Sequence, residues 1–212
     1  MTPEPIFKIC GMTRVADAVH AVREGATAIG FVFWKGSPRY VEPALAGEIA
    51  AALPSTVTTV GVFVNESVDG IRETAGRAGL RMVQLHGEEP PGYADRLEQP
   101  ILRSVTLDDV SEAARAWPVG TMLLLDSADP ARRGSGRAVV DWSRAAQVAR
   151  QQRVVLAGGL TPDNIEEAIL TVRPIGVDVS SGVESAPGVK DLDKVTRFLT
   201  NARAAFAHMV KL

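Results

Sequence analysis

Residues 154–164 read VVLAGGLTPDN, and this stretch contains the unit from which the rest of the chain is built. The apolar run Val154–Leu156 is typical of a strand that is buried on both faces. Gly158-Gly159 permits a tight turn. Thr161-Pro162-Asp163 then supplies an N-cap, a proline at the first helical position and an acid in the first turn. The stretch therefore predicts a strand that turns directly into a helix.

The same alternation of a short apolar run and a segment with helical spacing recurs along the whole chain. In the unit that contains residues 154–164, Ile165, Ile169 and Val172 form the predicted buried stripe of the helix. The predicted strands are Phe7–Cys10, Ala28–Phe33, Val60–Val64, Met82–Leu85, Ile101–Val105, Met122–Leu125, Val154–Leu156 and Val177–Val179. Weaker helical segments follow strands two to six, and the last predicted helix runs from about Leu192 to Ala207.

The first helix is predicted from four apolar positions after Thr13. These residues recur at steps of three and four, and Gly25 stands where the helix would stop. The predicted buried positions are Val15, Ala18, Val19 and Val22.

Eight such units in 212 residues give about 26 residues each, near the lower size limit of a (β/α)8 barrel. A doubly wound open sheet uses the same alternation, but it usually has fewer strands and a different ligand site. We therefore predict an α/β fold, a TIM barrel with eight parallel strands each followed by a helix, in a single domain over residues 1–212.

Composition limits the function classes. Lys and Arg total 23 and Asp and Glu total 25, so the net charge is 23 − 25 = −2, which gives no general attraction to nucleic acid or to an anionic membrane. One cysteine excludes an internal disulfide and a cysteine zinc cluster. No apolar run has the length of a membrane span, and no secretory signal is visible. We expect a cytoplasmic chain with neither a nucleic acid nor a membrane as partner.

A barrel predicts that functional residues follow the carboxyl ends of the strands, and the unusual residues do so. Cys10 follows strand one, His86 follows strand four and Asp126 follows strand six. Gly158-Gly159 and Ser180-Ser181-Gly182 follow strands seven and eight. Two small-residue loops on adjacent strands, one leading into a helix N-terminus, predict a phosphate site, although each alone is no more than a tight turn.

Cys10 and Asp126 are the candidates for chemistry. A free cysteine is most often a small buried hydrophobe, but Lys8 lies two residues earlier on the same strand face and favours a reactive thiol. Asp126 can cap the following turn or act as a general acid.

Two basic segments follow strands in the same way. The guanidinium of Arg39, after strand two, has the geometry to bind a carboxylate with two hydrogen bonds. The alternative is that Arg39 is an ordinary surface residue. The loop Arg132–Arg137, which contains Gly136, is either a solvated loop or a cover over a negatively charged substrate. No His, Asp or Glu spacing indicates a metal site.

Motifs distributed over the whole chain resemble the phosphoribosylanthranilate isomerase family of tryptophan biosynthesis. The matching segments occur in family order and are Lys8–Thr13, Gly30–Phe33, Ser37–Tyr40, Val60–Asn65, Val83–Gly87, Leu124–Asp126, Leu156–Leu160 and Val177–Glu184. The resemblance implies a cytoplasmic isomerase that acts on a small phosphorylated substrate.

The resemblance also implies a role for each matching residue. Cys10 matches the general base, Asp126 the general acid, and Arg39 the arginine that holds the anthranilate carboxylate. The phosphate-site positions are Gly158, Gly159, Ser180, Ser181 and Gly182. Asp178 matches a position near the sugar, and His86 and Gly136 are further substrate-binding candidates. The loop around Gly136 departs from the family's Gly-Gly-Ser/Thr-Gly-Lys, because Arg133-Gly134-Ser135-Gly136-Arg137 stands there.

The implied reaction is an Amadori rearrangement of N-(5'-phosphoribosyl)anthranilate to 1-(2-carboxyphenylamino)-1-deoxyribulose 5-phosphate. The arylamine nitrogen serves as the electron sink, so the resemblance implies no metal and no organic cofactor. The alternatives are a histidine-pathway isomerase or a bifunctional relative, which would have an aspartate in place of Cys10, and a non-catalytic phosphate-binding barrel. The chain is expected to stand alone, and a monomer and a homodimer both remain open.

Overall fold

The computed structural model describes residues 4–127 and 140–209, and it contains a closed barrel of eight parallel strands in sequence order. The strands are β1 Ile6–Ile9, β2 Ala28–Val32, β3 Thr58–Phe63, β4 Met82–Leu85, β5 Ile101–Val105, β6 Met122–Leu125, β7 Val154–Leu156 and β8 Gly176–Val179. The barrel closes where β8 pairs with β1, with Lys8 opposite Asp178. The predicted parallel barrel is confirmed.

The α-helices of the described residues surround the barrel. They are α1 Val15–Arg23, α2 Pro43–Ala51, α3 Val68–Ala78, α4 Val110–Ala116, α5 Trp142–Ala149, α6 Ile165–Val172 and α7 Leu192–Met209. The stripe predicted for α6 is confirmed, because Ile165, Ile169 and Val172 are all buried. Within the described part of the chain, no helix is both long and apolar enough to cross a membrane.

The inside of the barrel mixes apolar and ionisable side chains. Leu102, Leu124 and Val155, from three neighbouring strands, form a separate apolar cluster. On the opposite side Lys8 and Asp178 are buried and paired. Because side chains on a strand alternate between its two faces, the residues two positions later on each strand reach the open end of the barrel. The strand register thus brings functional side chains together at this end.

The buried face predicted for α1 is partly wrong. Ala18 is buried, but Val15 and Val19 are 40% and 36% exposed, and Asp17 is buried in their place. The Asp17 carboxylate accepts a hydrogen bond from the backbone N–H of Lys190 at 2.9 Å. This long-range bond fixes the rotation of the helix, which the apolar spacing alone did not determine.

The connection from β4 to β5 also differs from the prediction. Its described residues contain a single 3-10 turn, Pro91–Tyr93, where an α-helix was expected. Pro90 and Pro91 provide no N–H donors, and a proline inside an α-helix clashes with the preceding turn. Gly92 weakens helix formation further.

A small antiparallel hairpin follows β8 and was not predicted. It consists of β9, Glu184–Ala186, and β10, Val189–Lys190. The hairpin brings Glu184 and Lys190 next to the end of the barrel, where Lys190 donates to Glu184 at 2.8 Å. It therefore supplies two charged groups to the candidate site.

Candidate active site

Cys10 follows β1 directly and lines a cavity at the carboxyl end of the barrel. Its backbone N–H donates to the carbonyl of Val179 at 2.8 Å, which continues the pairing of β1 with β8. Its sulfur packs over Gly30, where a Cβ atom would lie 2.7 Å from Sγ, so the thiol position requires glycine there. Burial raises the pKa of Cys10, and the ammonium groups of Lys8 and Lys190 partly offset that rise.

Asp126 follows β6 and lines the same cavity. Its backbone N–H donates to Val105, and its carboxylate accepts from the backbone N–H of Ser127 at 2.7 Å. Burial raises the pKa of Asp126 to about 6, although the bond from Ser127 acts in the opposite direction. Asp126 therefore keeps its proton to a higher pH than an ordinary aspartate does.

His86 lies beside Asp126, with Nε2 at 3.7 Å from Oδ2, which is longer than a hydrogen bond. The Gln84 Nε2 amide group is 3.1 Å from His86 Nδ1. With the Gln84 amide in this orientation, Nδ1 accepts and the ring proton is on Nε2, the nitrogen that faces Asp126. Burial lowers the pKa of His86 to about 4, and the charge of Lys8 adds to this effect. His86 is therefore a neutral imidazole at neutral pH.

Arg39 is buried at the cavity wall and is held by a carboxylate of the protein itself. Its Nε and Nη2 groups donate to Glu184 at 2.9 Å and 2.7 Å. Lys190 also donates to Glu184, so the group of three carries one net positive charge. In the described part of the chain, no residue accepts a hydrogen bond from Nη1 of Arg39. The Nη1 end of the guanidinium thus remains available to a ligand.

The two small-residue loops predicted to bind phosphate are in contact. Gly158 and Gly159 have φ angles of 77° and 66°, which side chains other than glycine rarely adopt. A Cβ atom at Gly182 would lie 1.9 Å from the carbonyl oxygen of Leu160, so the second loop packs tightly against the first. No residue of the described ranges accepts a hydrogen bond from the backbone N–H of Gly158 or Gly159. Both glycines line the cavity, so these two donors are candidates to bind an anion there.

Three buried polar atoms at the cavity lack a partner in the described structure. They are Gln84 Oε1, Asp178 Oδ1 and Ser180 Oγ. Buried polar atoms are nearly always hydrogen-bonded, so these three are candidates to bind the polar groups of a ligand. A carboxylate, an amide oxygen and a hydroxyl together suit a molecule with several hydroxyl groups.

One cavity brings together all the predicted site residues that the structure describes. It is lined by Cys10, Arg39, His86, Asp126, Gly158, Gly159, Asp178, Ser180, Ser181 and Gly182. Gly136 and the loop Arg132–Arg137 lie outside the described residues. The roles expected for the individual residues stay predictions.

Sequence reasoning assigned no role to three residues of this region: Gln84, Glu184 and Lys190. Two of them had a usable signal. Gln84 is two positions before His86, as Lys8 is two positions before Cys10, and this period of two places each pair on one strand face. Glu184 ends the motif Val177–Glu184. Lys190 had no such signal, because its position depends on the unpredicted hairpin.

Comparison with known proteins gives one consistent answer. The sequence profile described as "N-(5'phosphoribosyl)anthranilate (PRA) isomerase" matches residues 7–201. The N-(5'-phosphoribosyl)anthranilate isomerase of Geobacter metallireducens is 45% identical over 199 residues, which cover 93% of this chain and 98% of the relative.

Two solved structures have the same fold. A phosphoribosyl anthranilate isomerase in complex with reduced 1-(o-carboxyphenylamino)-1-deoxyribulose 5-phosphate has a TM-score of 0.84 and 39% identity, over 94% of this chain and 99% of that one. A structure of monomers made from the dimeric Thermotoga maritima enzyme has a TM-score of 0.83 and 38% identity, over 94% and 99%. The profile match and the identity to the Geobacter relative together show that this chain belongs to the N-(5'-phosphoribosyl)anthranilate isomerase family.

Proposed function

We propose that this chain catalyses the isomerisation of N-(5'-phosphoribosyl)anthranilate to 1-(2-carboxyphenylamino)-1-deoxyribulose 5-phosphate, a step of tryptophan biosynthesis. Family membership supports the reaction. The single observation that carries it in the structure is that Cys10 and Asp126 line one cavity together with Arg39 and the two glycine loops. A base, an acid, a cation and an anion site are the groups that this substrate needs.

The first step is the opening of the sugar ring. Asp126 donates a proton to the ring oxygen, the bond between C1 and that oxygen breaks, and the nitrogen lone pair forms a Schiff base with C1. An acid with a pKa near the working pH suits this task, and burial raises the pKa of Asp126 to about 6. Neutral His86, whose Nε2 proton faces Asp126, adds no positive charge that would favour the carboxylate form.

The second step is the removal of the proton on C2. The Cys10 thiolate takes this proton and becomes a thiol, while the electron pair moves through C1 to the nitrogen and gives an enolamine. The enolamine then tautomerises to the ketone. General acid–base assistance contributes roughly 10²- to 10⁴-fold for each group, so the rest of the acceleration comes from positioning.

The groups at the two ends of the cavity determine the orientation of the substrate. The phosphate binds the backbone N–H groups of Gly158 and Gly159, with Ser181 and Gly182 beside them. The anthranilate carboxylate binds the Nη1 end of Arg39. Between the two ends, the unpartnered Asp178 Oδ1 accepts a hydrogen bond from a ribose hydroxyl, and Ser180 Oγ accepts from or donates to another.

An apolar wall completes the cavity on the side of Arg39. It consists of Val32, Trp34, Val62 and Val64. This wall suits the aromatic ring of the anthranilate, because ligand sites combine apolar surface with a few placed polar groups. A substrate without an aromatic ring would leave that wall uncovered.

The test is a direct assay with the purified chain. We expect the anthranilate fluorescence of the substrate to decay when the protein is added, and the ketone product to appear in equal amount. The histidine-pathway aminoaldose, which lacks the anthranilate ring, should react far more slowly. Stable fluorescence in the presence of folded protein would reject the proposal, and preference for the other substrate would favour the related isomerase.

The remaining features are proposed from the family. We propose that residues 1–212 form one domain, that the chain acts in the cytoplasm, and that it is a monomer or a homodimer. Both oligomeric forms occur for the Thermotoga maritima relative. Light scattering of the purified chain distinguishes the two states, and a larger assembly would contradict this part of the proposal.

A further inference from the structure

A buried ion pair lies directly beneath the proposed base, and neither of the proton transfers proposed above uses it. Lys8 on β1 is 1% exposed, and its Nζ donates to Asp178 Oδ2 on the neighbouring strand β8 at 2.8 Å. Asp178 Oδ1 has no partner among the described residues. Lys8 thus has Asp178 on one side and the Cys10 side chain as its other close polar neighbour.

Packing alone does not explain a lysine at this position. The corresponding interior positions on the opposite side are filled by Leu102, Leu124 and Val155. Replacing a buried ion pair by apolar side chains of similar volume is often neutral or stabilising, because removing two charges from water is costly. A buried lysine that is kept at such a cost points to an electrostatic role.

Cys10 is the nearest proposed reactive group. It follows Lys8 by two residues, so both side chains lie on the same face of β1. We propose that Lys8 is a positioning residue for the isomerisation: its buried ammonium, anchored by Asp178, favours the thiolate form of Cys10. This inference rests on the proposed function only where it gives Cys10 the role of base.

The balance of charge around Cys10 supports this assignment. Among the described residues, Lys8 on β1, Asp178 on β8 and Lys190 on the hairpin act on it directly, and Lys190 is paired with Glu184, which also binds Arg39. Three cations and two anions leave one positive charge in excess. A thiolate at Cys10 neutralises that excess, whereas a thiol leaves it uncompensated in a buried region.

When Asp126 is protonated, the groups across the cavity do not supply the negative charge that would balance this excess. As a general acid Asp126 is protonated, and His86 is neutral. The pKa of Cys10 follows the same logic: burial raises it, Lys8 is the strongest of the groups that lower it, and Asp178 raises it again. Lys8 and Asp178 therefore act on Cys10 in opposite directions.

This opposition gives a sharp test, because Cys10 is the only cysteine of the chain. The pH midpoint of thiolate formation is read from ultraviolet absorbance and from the rate of alkylation by iodoacetamide. We expect Lys8→Met to raise the midpoint by about one pH unit or more and Asp178→Asn to lower it. A pair that served only the structure would move neither midpoint, or would move both in the same direction, and either result would overturn the proposal.

Two further variants keep the test decisive. Lys8→Met leaves Asp178 unpaired, so if that variant does not fold, Lys8→Met/Asp178→Leu removes both charges. Its midpoint should rise, by less than in Lys8→Met alone, and an unchanged midpoint would reject the role of Lys8. Exposed Lys35 provides the control, because Lys35→Met removes the same charge from a solvated position and should leave the midpoint unchanged. A shift as large as that of Lys8→Met would show that Lys8 has no special effect.

The measurement is independent of the reaction. Thiolate formation is measured without substrate, so opposite shifts in a chain that fails to isomerise the substrate would support the inference and reject the proposed function. Normal isomerisation with unshifted midpoints would support the proposed function and reject this inference.

Discussion

At the barrel mouth, the surroundings of Cys10 and those of Asp126 differ in how nearby charges are balanced. On the side of β1, β2 and β8, the charged groups are buried as ion pairs, such as Lys8 with Asp178 and Arg39 with Glu184. On the side of β4 and β6, His86 and Asp126 have no buried ion of opposite charge within hydrogen-bond distance in the described structure, and burial favours their neutral forms.

The difference matches the two tasks of the proposed reaction. A base must be an anion and an acid must hold a proton, and one uniform environment cannot favour both. Enzymes that use two titratable groups commonly separate their pKa values through different surroundings. Here the surroundings of Cys10 have an excess of positive charge, and desolvation raises the pKa of Asp126 to about 6.

The largest expected effect comes from blocking the Cys10 thiol, which lies on the side of β1, β2 and β8. Alkylation of Cys10 should abolish isomerisation, in proportion to the labelled fraction measured by mass spectrometry. A bound product analogue should protect the thiol, because Cys10 lines the proposed substrate cavity. Fully labelled protein that keeps its activity would remove Cys10 from the site.

On the side of β4 and β6, the pKa values of Asp126 and His86 are shifted in opposite directions, and both shifts affect stability. Asp126 has a raised pKa, so its stabilising contribution is present below pH 3.8 and is lost as the pH rises through about 6. His86 has a lowered pKa, so its contribution is present above pH 6.5 and is lost as the pH falls through about 4. Each shift of about two pKa units corresponds to roughly 3 kcal/mol.

In the unmodified chain these two contributions nearly cancel. In Asp126→Asn the free energy of unfolding should therefore rise with pH between 4 and 6.5, whereas in His86→Gln it should fall over the same interval. Urea unfolding at several pH values measures both slopes. Equal slopes in the two variants would show that burial does not hold these groups neutral.

A smaller effect is expected from substitution of Arg39, which lies on the side of β1, β2 and β8. Arg39→Ala should weaken binding of a carboxylate-bearing product analogue by roughly 10- to 100-fold, the usual range for a hydrogen bond to a charged group. Titration calorimetry with an analogue that lacks the carboxylate is the control. Equal losses for both analogues would give Arg39 a structural role with Glu184.

The smallest effect is expected from His86. His86→Gln keeps a neutral side chain with an N–H donor, and Nε2 is 3.7 Å from Asp126, beyond hydrogen-bond distance. The turnover number should fall by less than about tenfold, because no more than one neutral hydrogen bond is affected. A loss of a hundredfold would indicate that His86 itself transfers a proton.

The sequence predicted the barrel and most of the cavity because both depend on short-range patterns. Apolar runs and glycine turns mark the strand ends, and a closed parallel barrel brings those ends to one place. Cys10 and Asp126, 116 positions apart in the numbering, could therefore be paired from the order of the strands alone. The roles of individual residues came from the family resemblance.

The features that were missed depend on contacts between distant segments. Arg39 and Glu184 are 145 residues apart, and no local pattern links them. Val15 and Val19 fit an apolar stripe, but the bond from Lys190 to Asp17 decides which face of α1 is buried. The strands β9 and β10 have three and two residues, too few for an alternating pattern to appear. The Pro90-Pro91-Gly92 signal for the 3-10 turn was present in the sequence.

The proposed mechanism requires proton transfer by both Cys10 and Asp126, and the turnover numbers of Cys10→Ser and Asp126→Asn test this directly. Each substitution nearly preserves shape, so a structural residue would tolerate it. We predict that each lowers kcat by roughly 10²-fold or more, with far smaller effects on product-analogue affinity and less than additive losses in the double variant. Circular dichroism confirms folding. Near-normal turnover in either folded variant would contradict the assignment of that residue.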